Sequence, residues 1–535
     1  MNAHDRNAGP GFASVRGQTR LWWAALGIGL LALSLTLRVA SLVDAPLDRD
    51  EGAYALIAQQ WRHGALPYRD YFDHKPPLVY VAYRLAFAIT GEHLAAIRAL
   101  FAVVNACTAL ACGITVWRLT HHAFLAPLLA ALAACVFLNS PLVQGETANT
   151  ETLMVLGTTC AAALVLGAMR SGRALTALVA GTCAGLAALA KPVALCEAVF
   201  FTAWLATPWF ATHAVRRRGL VIAFGIGLVL PSVAWGLYAL ASGTLSATVD
   251  AVFMYNARYA SAAVVPLWAR LAALPIDYGA PLALLWAGVG GCMLTELRTL
   301  PHTAARPANF ALGWTAAALV GTLAGGRIYA HYYQQIIPPM AVALGVTAAA
   351  VGHLMRGRGA RLAYAAVVTV GLWPPLAAIG SFATQSAERT CAGWQPRLAA
   401  VIRSLTVPDD RVLVWGAEPY LAFAAERRPI NRFIYKYPLL GDSPSATAAR
   451  HELFALWEEH RPAVIVVVKR EDTAEPGRSA AAEIVASDAP FHRLLTGFAP
   501  VLETSDFVLY TQPDAAPLPW SARWEQTEPC SRHER

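Results

Sequence analysis

The sequence predicts a polytopic α-helical membrane protein of eleven to thirteen spans, with interfacial helices in its first outer loop and an α/β domain at its C-terminal end. Three observations carry that expectation. Of 535 residues 56% are hydrophobic and only 14% charged, with a mean hydropathy of +0.44, whereas a soluble globular chain carries about 25% charge. Eleven apolar runs recur between residues 21 and 382, and beyond residue 384 they give way to short β-branched segments. This composition excludes a cytosolic enzyme, a disordered chain and a nucleic-acid binder, despite a net charge of +8.

A bilayer core of about 30 Å needs roughly 20 apolar residues in a helix. The runs are 21–40, 94–119, 123–138, 152–169, 174–190, 193–210, 220–240, 272–294, 310–324, 336–354 and 362–382. The third and ninth are short, which leaves the count a range. The first run follows a basic stretch, as a signal peptide would. It is nevertheless 20 residues long and no small-residue cleavage pattern follows, so it is expected to be a retained anchor.

Orientation follows from the basic residues. One alternate set of connections holds Arg6, Arg16 and Arg20, then Arg118, Arg170 and Arg173, Arg216 to Arg218, Arg298 and Arg306, and Arg356, Arg358 and Arg361, with only Asp5 and Glu296 as acids. The positive-inside rule places these in the cytoplasm. Residues 1–20 are then a cytoplasmic tail, residues 21–384 the transmembrane domain with its first extracytoplasmic loop at 41–93, and residues 385–535 an extracytoplasmic domain.

That last domain has 17 basic against 20 acidic residues, whereas the rest of the chain has 25 against 14. Arg411–Trp415, Ala463–Val468 and Phe507–Tyr510 read as strands and His451–Glu459 as an amphipathic helix, with no Gly-rich phosphate fingerprint. Seven cysteines fall in apolar runs as small apolar residues. Cys391 and Cys530 fall in the extracytoplasmic domain, where a disulfide and two free thiols both stay open; a mass shift on reduction and alkylation decides between them.

The first outer loop is dense in charge, aromatics and proline. Its core reads Asp48-Arg49-Asp50-Glu51-Gly52-Ala53-Tyr54 and, further on, Asp73-His74-Lys75-Pro76-Pro77-Leu78. Glu51–Trp61 and Leu78–Ile89 have helical periodicity, are too short to span, and each carries one apolar face: Tyr54, Ile57, Ala58 and Trp61, then Val81, Leu85 and Ala88. Asp50 has a plain alternative as a helix N-cap, and Asp48-Arg49-Asp50 matches a loose acidic triplet that binds metal-diphosphate in many glycosyltransferases but is common by chance. Lys75 and Lys191 have the alternative of snorkelling to the interface, and Asn149 and Glu151 that of capping the helix they open. Arg258 stands in the 242–270 loop, and Arg327, His331, Tyr332 and Gln334 stand at the mouth of the tenth run. All of these fall on one side of the membrane, which points to an outward-facing site more than to a transport path.

A sugar on a polyprenyl phosphate would need cations where charge develops on the leaving phosphate and a carboxylate base within reach of the acceptor hydroxyl. Asp50 with Lys75, Arg258 and Arg327 supplies those residue types. The Asp50-Glu51-Gly52-x-Tyr54 stretch, the His74-Lys75-Pro76-Pro77-Leu78 stretch, Asn149-x-Glu151 and the segment from Arg327 to Gln335 resemble the GT-C membrane glycosyltransferases, in the bacterial branch related to protein O-mannosyltransferases and aminoarabinose transferase. The resemblance reaches to about Phe382. It implies a multi-pass inner-membrane enzyme using a polyprenyl-phosphate sugar donor and a lipid, glycan or protein acceptor. It also implies an inverting transfer with Asp50, beside Glu51, as catalytic carboxylate and Lys75 as donor-phosphate contact. His74, Arg258, Arg327, His331, Tyr332, Gln334, Asn149, Glu151 and Lys191 are the further candidates for donor phosphate and sugar.

There is one departure. The aminoarabinose branch has a metal-associated glutamate before that lysine, and here the position is His74, with no histidine in the 242–270 loop to complete a site. The metal is therefore not carried over, although a divalent ion stays open. The alternative function, a transporter or flippase for a lipid-linked or small solute, requires ionisable residues mid-span, whereas Arg98, Glu197 and Asp277 fall near the ends of their runs.

Overall fold

A computed structural model describes residues 10–120, 124–207, 214–261, 265–298, 307–352, 357–440, 443–469 and 489–513. Arg6, Arg306, Arg356 and Cys530, and with Cys530 the question of its pairing to Cys391, lie outside the described residues. The chain divides into two compact units. One comprises Met1–Val39, Arg98–Ala234 and Ala263–Phe382; the other comprises Ala40–Ile97, Trp235–Ala262 and Ala383–Arg535.

Each of the eleven apolar runs contains a helix. Among the described residues six helices are long and apolar enough to cross a bilayer: Thr19–Ser41, Leu94–Thr120, Thr150–Ser171, Arg216–Ala241, Ala330–Gly352 and Arg361–Gln385. Leu125–Leu138, Ala174–Ala190 and Pro192–Ala206 are shorter; fourteen residues rise about 21 Å, less than a hydrocarbon core of about 30 Å. The 272–294 run, expected as one helix, is two helices, Leu267–Tyr278 and Ala283–Glu296, bent by 111°. The break falls at Gly279 to Leu282, where Pro281 supplies no amide to the helical ladder and disfavours the helical conformation of the residue before it. In this unit Gly181 and Gly185, one turn apart, let the Ala174–Ala190 helix lie directly on backbone: a Cβ on Gly181 would stand 2.0 Å from the carbonyl oxygen of Phe224, and one on Gly185 would stand 2.3 Å from that of Leu228. This is the close small-residue packing that substitutes for hydrophobic drive between membrane helices.

The second unit joins the loop of residues 41–93 to the chain's last third. Its sheet has the order β2-β1-β3-β5-β4, with β1 Arg411–Trp415, β2 Arg428–Pro429, β3 Val464–Val468, β4 Ala499–Glu503 and β5 Phe507–Thr511. β1 pairs in parallel with β2 and β3, and β5 runs antiparallel to β3 and β4. The three strands expected from sequence are thus the sheet's centre; β3 is buried at every position, which is why its sequence reads as an unbroken valine-rich run.

The two loop helices are Arg49–Arg62 and Leu78–Thr90. On the second, Tyr80, Tyr83 and Phe87 pack inward while Leu85 and Ile89 are exposed, the apolar face expected of an interfacial helix. The first differs from expectation. Every residue from Glu51 to Gln60 is buried, because the Leu78–Thr90 and Tyr420–Ala425 helices both pack against it and meet each other through the stacked rings of Phe87 and Phe423. The approach of Tyr420 depends on Gly52: a Cβ there would lie 2.8 Å from the Tyr420 backbone nitrogen.

Replacing Gly52 with alanine should therefore cost about 1–3 kcal/mol by overpacking against backbone that cannot rotate away. Gly29→Ala, where nothing lies within 4 Å, is the matched control. Thermal unfolding of the purified protein in detergent should show a lowered midpoint for G52A alone; equal midpoints would refute the close approach.

Candidate active site

The acidic pair of the loop unit is held by a helix start. Asp48, with extended backbone, is the N-cap of Arg49–Arg62, and its side chain accepts from the Asp50 amide at 3.2 Å. The capping alternative for Asp50 is thus corrected: Asp48 does that work because it is the last non-helical residue, and Asp50, inside the first turn, has its carboxylate available for other partners. The acidic triplet is split for the same reason. Glu51, fully buried, accepts from the Leu47 amide at 3.3 Å, close to the reach-back of a capping box.

Asp50 Oδ2 stands 3.3 Å from Lys75 Nζ and accepts a hydrogen bond from the Tyr54 hydroxyl at 3.3 Å. Lys75 is placed by its backbone: its carbonyl accepts from Tyr68 Oη at 2.8 Å and from Tyr80 Oη at 3.5 Å. Tyr68 itself sits at φ +69°, a left-handed conformation that a bulky residue adopts only where its surroundings hold it. The carboxylate of Asp73 accepts from Tyr80 Oη at 2.8 Å and from the His74 amide at 2.7 Å, and the His74 ring stands 3.2 Å from it. Asn256 donates to the His74 carbonyl at 2.7 Å. Arg258 pairs with Asp250 at 3.4 Å, both about half exposed.

Sequence reasoning missed the contribution of the chain's last third to this cluster. Arg49 donates to the Tyr437 hydroxyl at 2.6 Å; burial opposes its charge, yet Tyr437 and Asp50 hold the guanidinium above its ordinary range. Burial, and after it the charges of Asp50 and Asp73, pushes the Tyr54 and Tyr435 hydroxyls well up. Both phenols therefore stay protonated, and that of Tyr54 donates to the Asp50 carboxylate. The one local hint was the Tyr435-Lys436-Tyr437 spacing, and nothing local links it to residue 49.

Among the described residues no group of three or more His, Cys, Asp or Glu side chains converges as a metal site would require. Asp73 and His74 face each other, with tyrosine and backbone amide on the remaining oxygen positions of Asp73. These residues do not fit the metal of the aminoarabinose branch.

The other unit has its own polar cluster. Glu151, in the first turn of Thr150–Ser171, pairs with Lys191 and lies 3.8 Å from His331 Nε2. His331 Nδ1 contacts Gln144 Oε1 at 2.5 Å, and Lys191 Nζ lies 3.4 Å above the centre of the Tyr332 ring. Gln334 accepts from Thr152 at 3.2 Å and donates to the Val143 carbonyl at 3.0 Å. Asn149 occupies the N-cap position without a side-chain capping bond, its amide donating instead to Thr147. Arg327 is half-buried on the connection preceding the Ala330–Ile336 turn. The structure therefore unites Glu151, Lys191, His331, Tyr332 and Gln334, which the sequence offered as separate candidates. Nearby in sequence, Glu197 is fully buried and receives bonds from Trp314 and, at 3.0 Å, from Gln335.

No family model and no curated protein matches the sequence. Solved structures do match. ArnT from Cupriavidus metallidurans bound to undecaprenyl phosphate superposes with a TM-score of 0.64 at 15% identity, over 90% of this chain and 97% of that one. AglB, an archaeal oligosaccharyltransferase from Archaeoglobus fulgidus in complex with an inhibitory peptide and a dolichol-phosphate, gives 0.55 at 14% identity, over 94% and 75%. The likeness establishes the fold: the chain has the GT-C fold.

The Glu151–Lys191 pair generates its own prediction. Removing one partner strands a buried charge at a cost of about 3–5 kcal/mol, whereas replacing both with neutral side chains is far cheaper. Lys191→Met should lower the unfolding midpoint well below that of the Glu151→Gln, Lys191→Met double variant, and a single variant as stable as the double would refute the pairing.

Proposed function

We propose that the protein is an integral-membrane glycosyltransferase that moves a sugar from a polyprenyl-phosphate donor to an extracytoplasmic glycolipid, polysaccharide or protein, with inversion and with Asp50 as general base. The observation that carries the reading is the Asp50–Lys75 pair: a carboxylate and an ammonium 3.3 Å apart, each about one-fifth exposed, held by a capped helix and a tyrosine-locked loop. Without donor each charge answers the other. A donor phosphate arriving at Lys75 replaces the carboxylate as its partner, and Asp50 then takes the acceptor's hydroxyl proton. The new bond from the acceptor oxygen to the sugar's anomeric carbon forms as the bond from that carbon to the phosphate oxygen breaks, and the polyprenyl phosphate leaves with the electron pair. Lys75 stabilises the charge where it develops, and one base with no covalent intermediate gives inversion.

Glu51 serves in this reading as a positioning group for the turn that aims Asp50. Arg258 and His74 are the remaining donor-binding candidates of the loop unit. Arg327, Tyr332 and Asn149 are those of the transmembrane unit, where the Glu151–Lys191–His331–Gln334 cluster forms the polar centre. The arginine bias supports a cytoplasmic N-terminus and an extracytoplasmic C-terminal domain in a bacterial inner membrane. The transporter reading calls for charge at mid-span, and buried Arg98 and Glu197 stand within the first two turns of Leu94–Thr120 and Leu195–Ala206.

Asp50→Asn, which keeps the shape and removes the base, should reduce transfer by at least about a hundredfold, and Lys75→Ala should do the same with normal membrane insertion. The measurement is loss of a sugar mass from envelope glycoconjugates of cells carrying each variant, read by mass spectrometry against the deletion strain. Wild-type transfer by D50N would sink the mechanism.

A further inference from the structure

Within the loop-and-tail unit lies a cavity of about 490 Å³, lined by the end of the Arg49–Arg62 helix, the Arg69–Tyr71 turn, β1, β2 and the Pro444–Glu459 helix. Its size is that of a small-molecule site. It shares no residue with the Asp50–Lys75 pair.

Four arginines and two carboxylates face it, and the carboxylates are committed. Asp70 accepts from Arg69 Nε and Nη2 at 2.8 and 2.9 Å and from the Leu66 amide at 2.8 Å, and the Arg69 bonds hold its carboxyl below the ordinary range. Glu452 takes Arg432 Nε on both oxygens, at 2.9 and 3.1 Å. The other two arginines, Arg411 and Arg428, have no carboxylate partner among the described residues; Arg411 donates only to the Ile430 carbonyl at 3.4 Å. Both act on one point: burial pushes the Tyr71 hydroxyl up to about 12, and the positive charges of Arg428 and then Arg411 oppose that rise. Arg411 and Arg428 are also register partners on the adjacent parallel strands β1 and β2, so the cavity is lined side by side by two arginines without a carboxylate partner among the described residues.

A second, independent feature points to a ligand. Asn431 lines the cavity, is only 6% exposed, and its buried Nδ2 has no hydrogen-bond partner. A buried amide left unsatisfied costs about 1–3 kcal/mol, a cost a bound acceptor oxygen would remove. Gln60, whose Oε1 accepts from Tyr71 at 3.4 Å, stands on the same lining.

We propose that this cavity binds an anionic saccharide, its phosphate or carboxylate on Arg411 and Arg428 and its ring oxygens on the Asn431 and Gln60 amides. Guanidinium groups match both anions in bidentate geometry, and the amides supply what a bare anion would not use. The site is argued independently of the transfer reading and is measured without catalysis, so either can fail alone.

Full-length protein in detergent is titrated calorimetrically with glucose 1-phosphate, glucuronate, glucose and inorganic phosphate. Glucose 1-phosphate or glucuronate should bind at least about tenfold more tightly than either glucose or inorganic phosphate, and the tighter of the two names the anion. Arg428→Glu, at an exposed position, should weaken that binding by at least about tenfold with an unchanged unfolding midpoint, and Arg428→Gln should weaken it less. Binding of inorganic phosphate or of glucose as tight as that of the anionic sugars, no binding of either anionic sugar, or unchanged affinity in R428E each overturns the proposal.

Discussion

Burying a charged helix is the constraint on which the loop-and-tail unit is built. The Arg49–Arg62 helix opens on Arg49, Asp50 and Glu51 and is then enclosed over its next nine residues, Gly52 to Gln60. Charge taken from water is tolerated only when paired and hydrogen-bonded, so each of the three has found a partner from a different segment: Tyr437 for Arg49, Lys75 for Asp50, the Leu47 amide for Glu51. The loop conformation that brings Lys75 in, with its left-handed Tyr68 and the two tyrosine hydroxyls on its carbonyl, is a consequence of that need. The reactive-looking pair is therefore a product of packing before it is a product of chemistry.

The transmembrane unit answers the same constraint with different residues. Arg38 is fully buried at a helix end and donates to the carbonyls of Glu146 and Thr147 at 2.8 and 2.9 Å. Glu151 has Lys191, and Glu197 has Trp314 and Gln335. Most of these partners stand on loops or at helix ends, where backbone groups without intrahelical partners are available. Among the described residues buried charge in this unit is thus kept near helix ends, which leaves the glycine-lined faces free to pack on backbone.

What could be read from the sequence was whatever is local. Apolar runs, the valine-rich β3 and the tyrosine-lined Leu78–Thr90 helix all announce themselves within a dozen residues, since length and period are local properties. The bend at Gly279–Leu282 was also written locally, in Pro281, but an apolar count over 272–294 passes through a proline without registering it. The capping role went two positions astray: Asp48 and Asp50 are chemically identical, and only the backbone conformation of residue 48 distinguishes them. The pairing of Asp50 with Lys75 was legible as residue types and not as a contact. The bond from Arg49 to Tyr437 spans 388 positions, and a single sequence holds no record of such a meeting.

That long-range meeting changes how the last third of the chain should be probed. Treated as an appended domain, it invites deletion of residues 385–535 to ask whether it merely binds. Within its unit, however, it supplies the Tyr420 helix on Gly52, the Tyr420 hydroxyl to the Asp44 carbonyl at 2.9 Å, the Phe423 carbonyl to Gln59 at 3.3 Å and the Arg432 carbonyl to the Phe72 amide at 2.8 Å. Deletion would uncover the Arg49–Arg62 helix and strip Arg49 of its phenol, so loss of activity would follow whether the segment binds a ligand or only completes the packing. Its two roles separate only at positions that face the cavity without supporting the helix, and exposed Arg428 on the two-residue edge strand β2 is such a position.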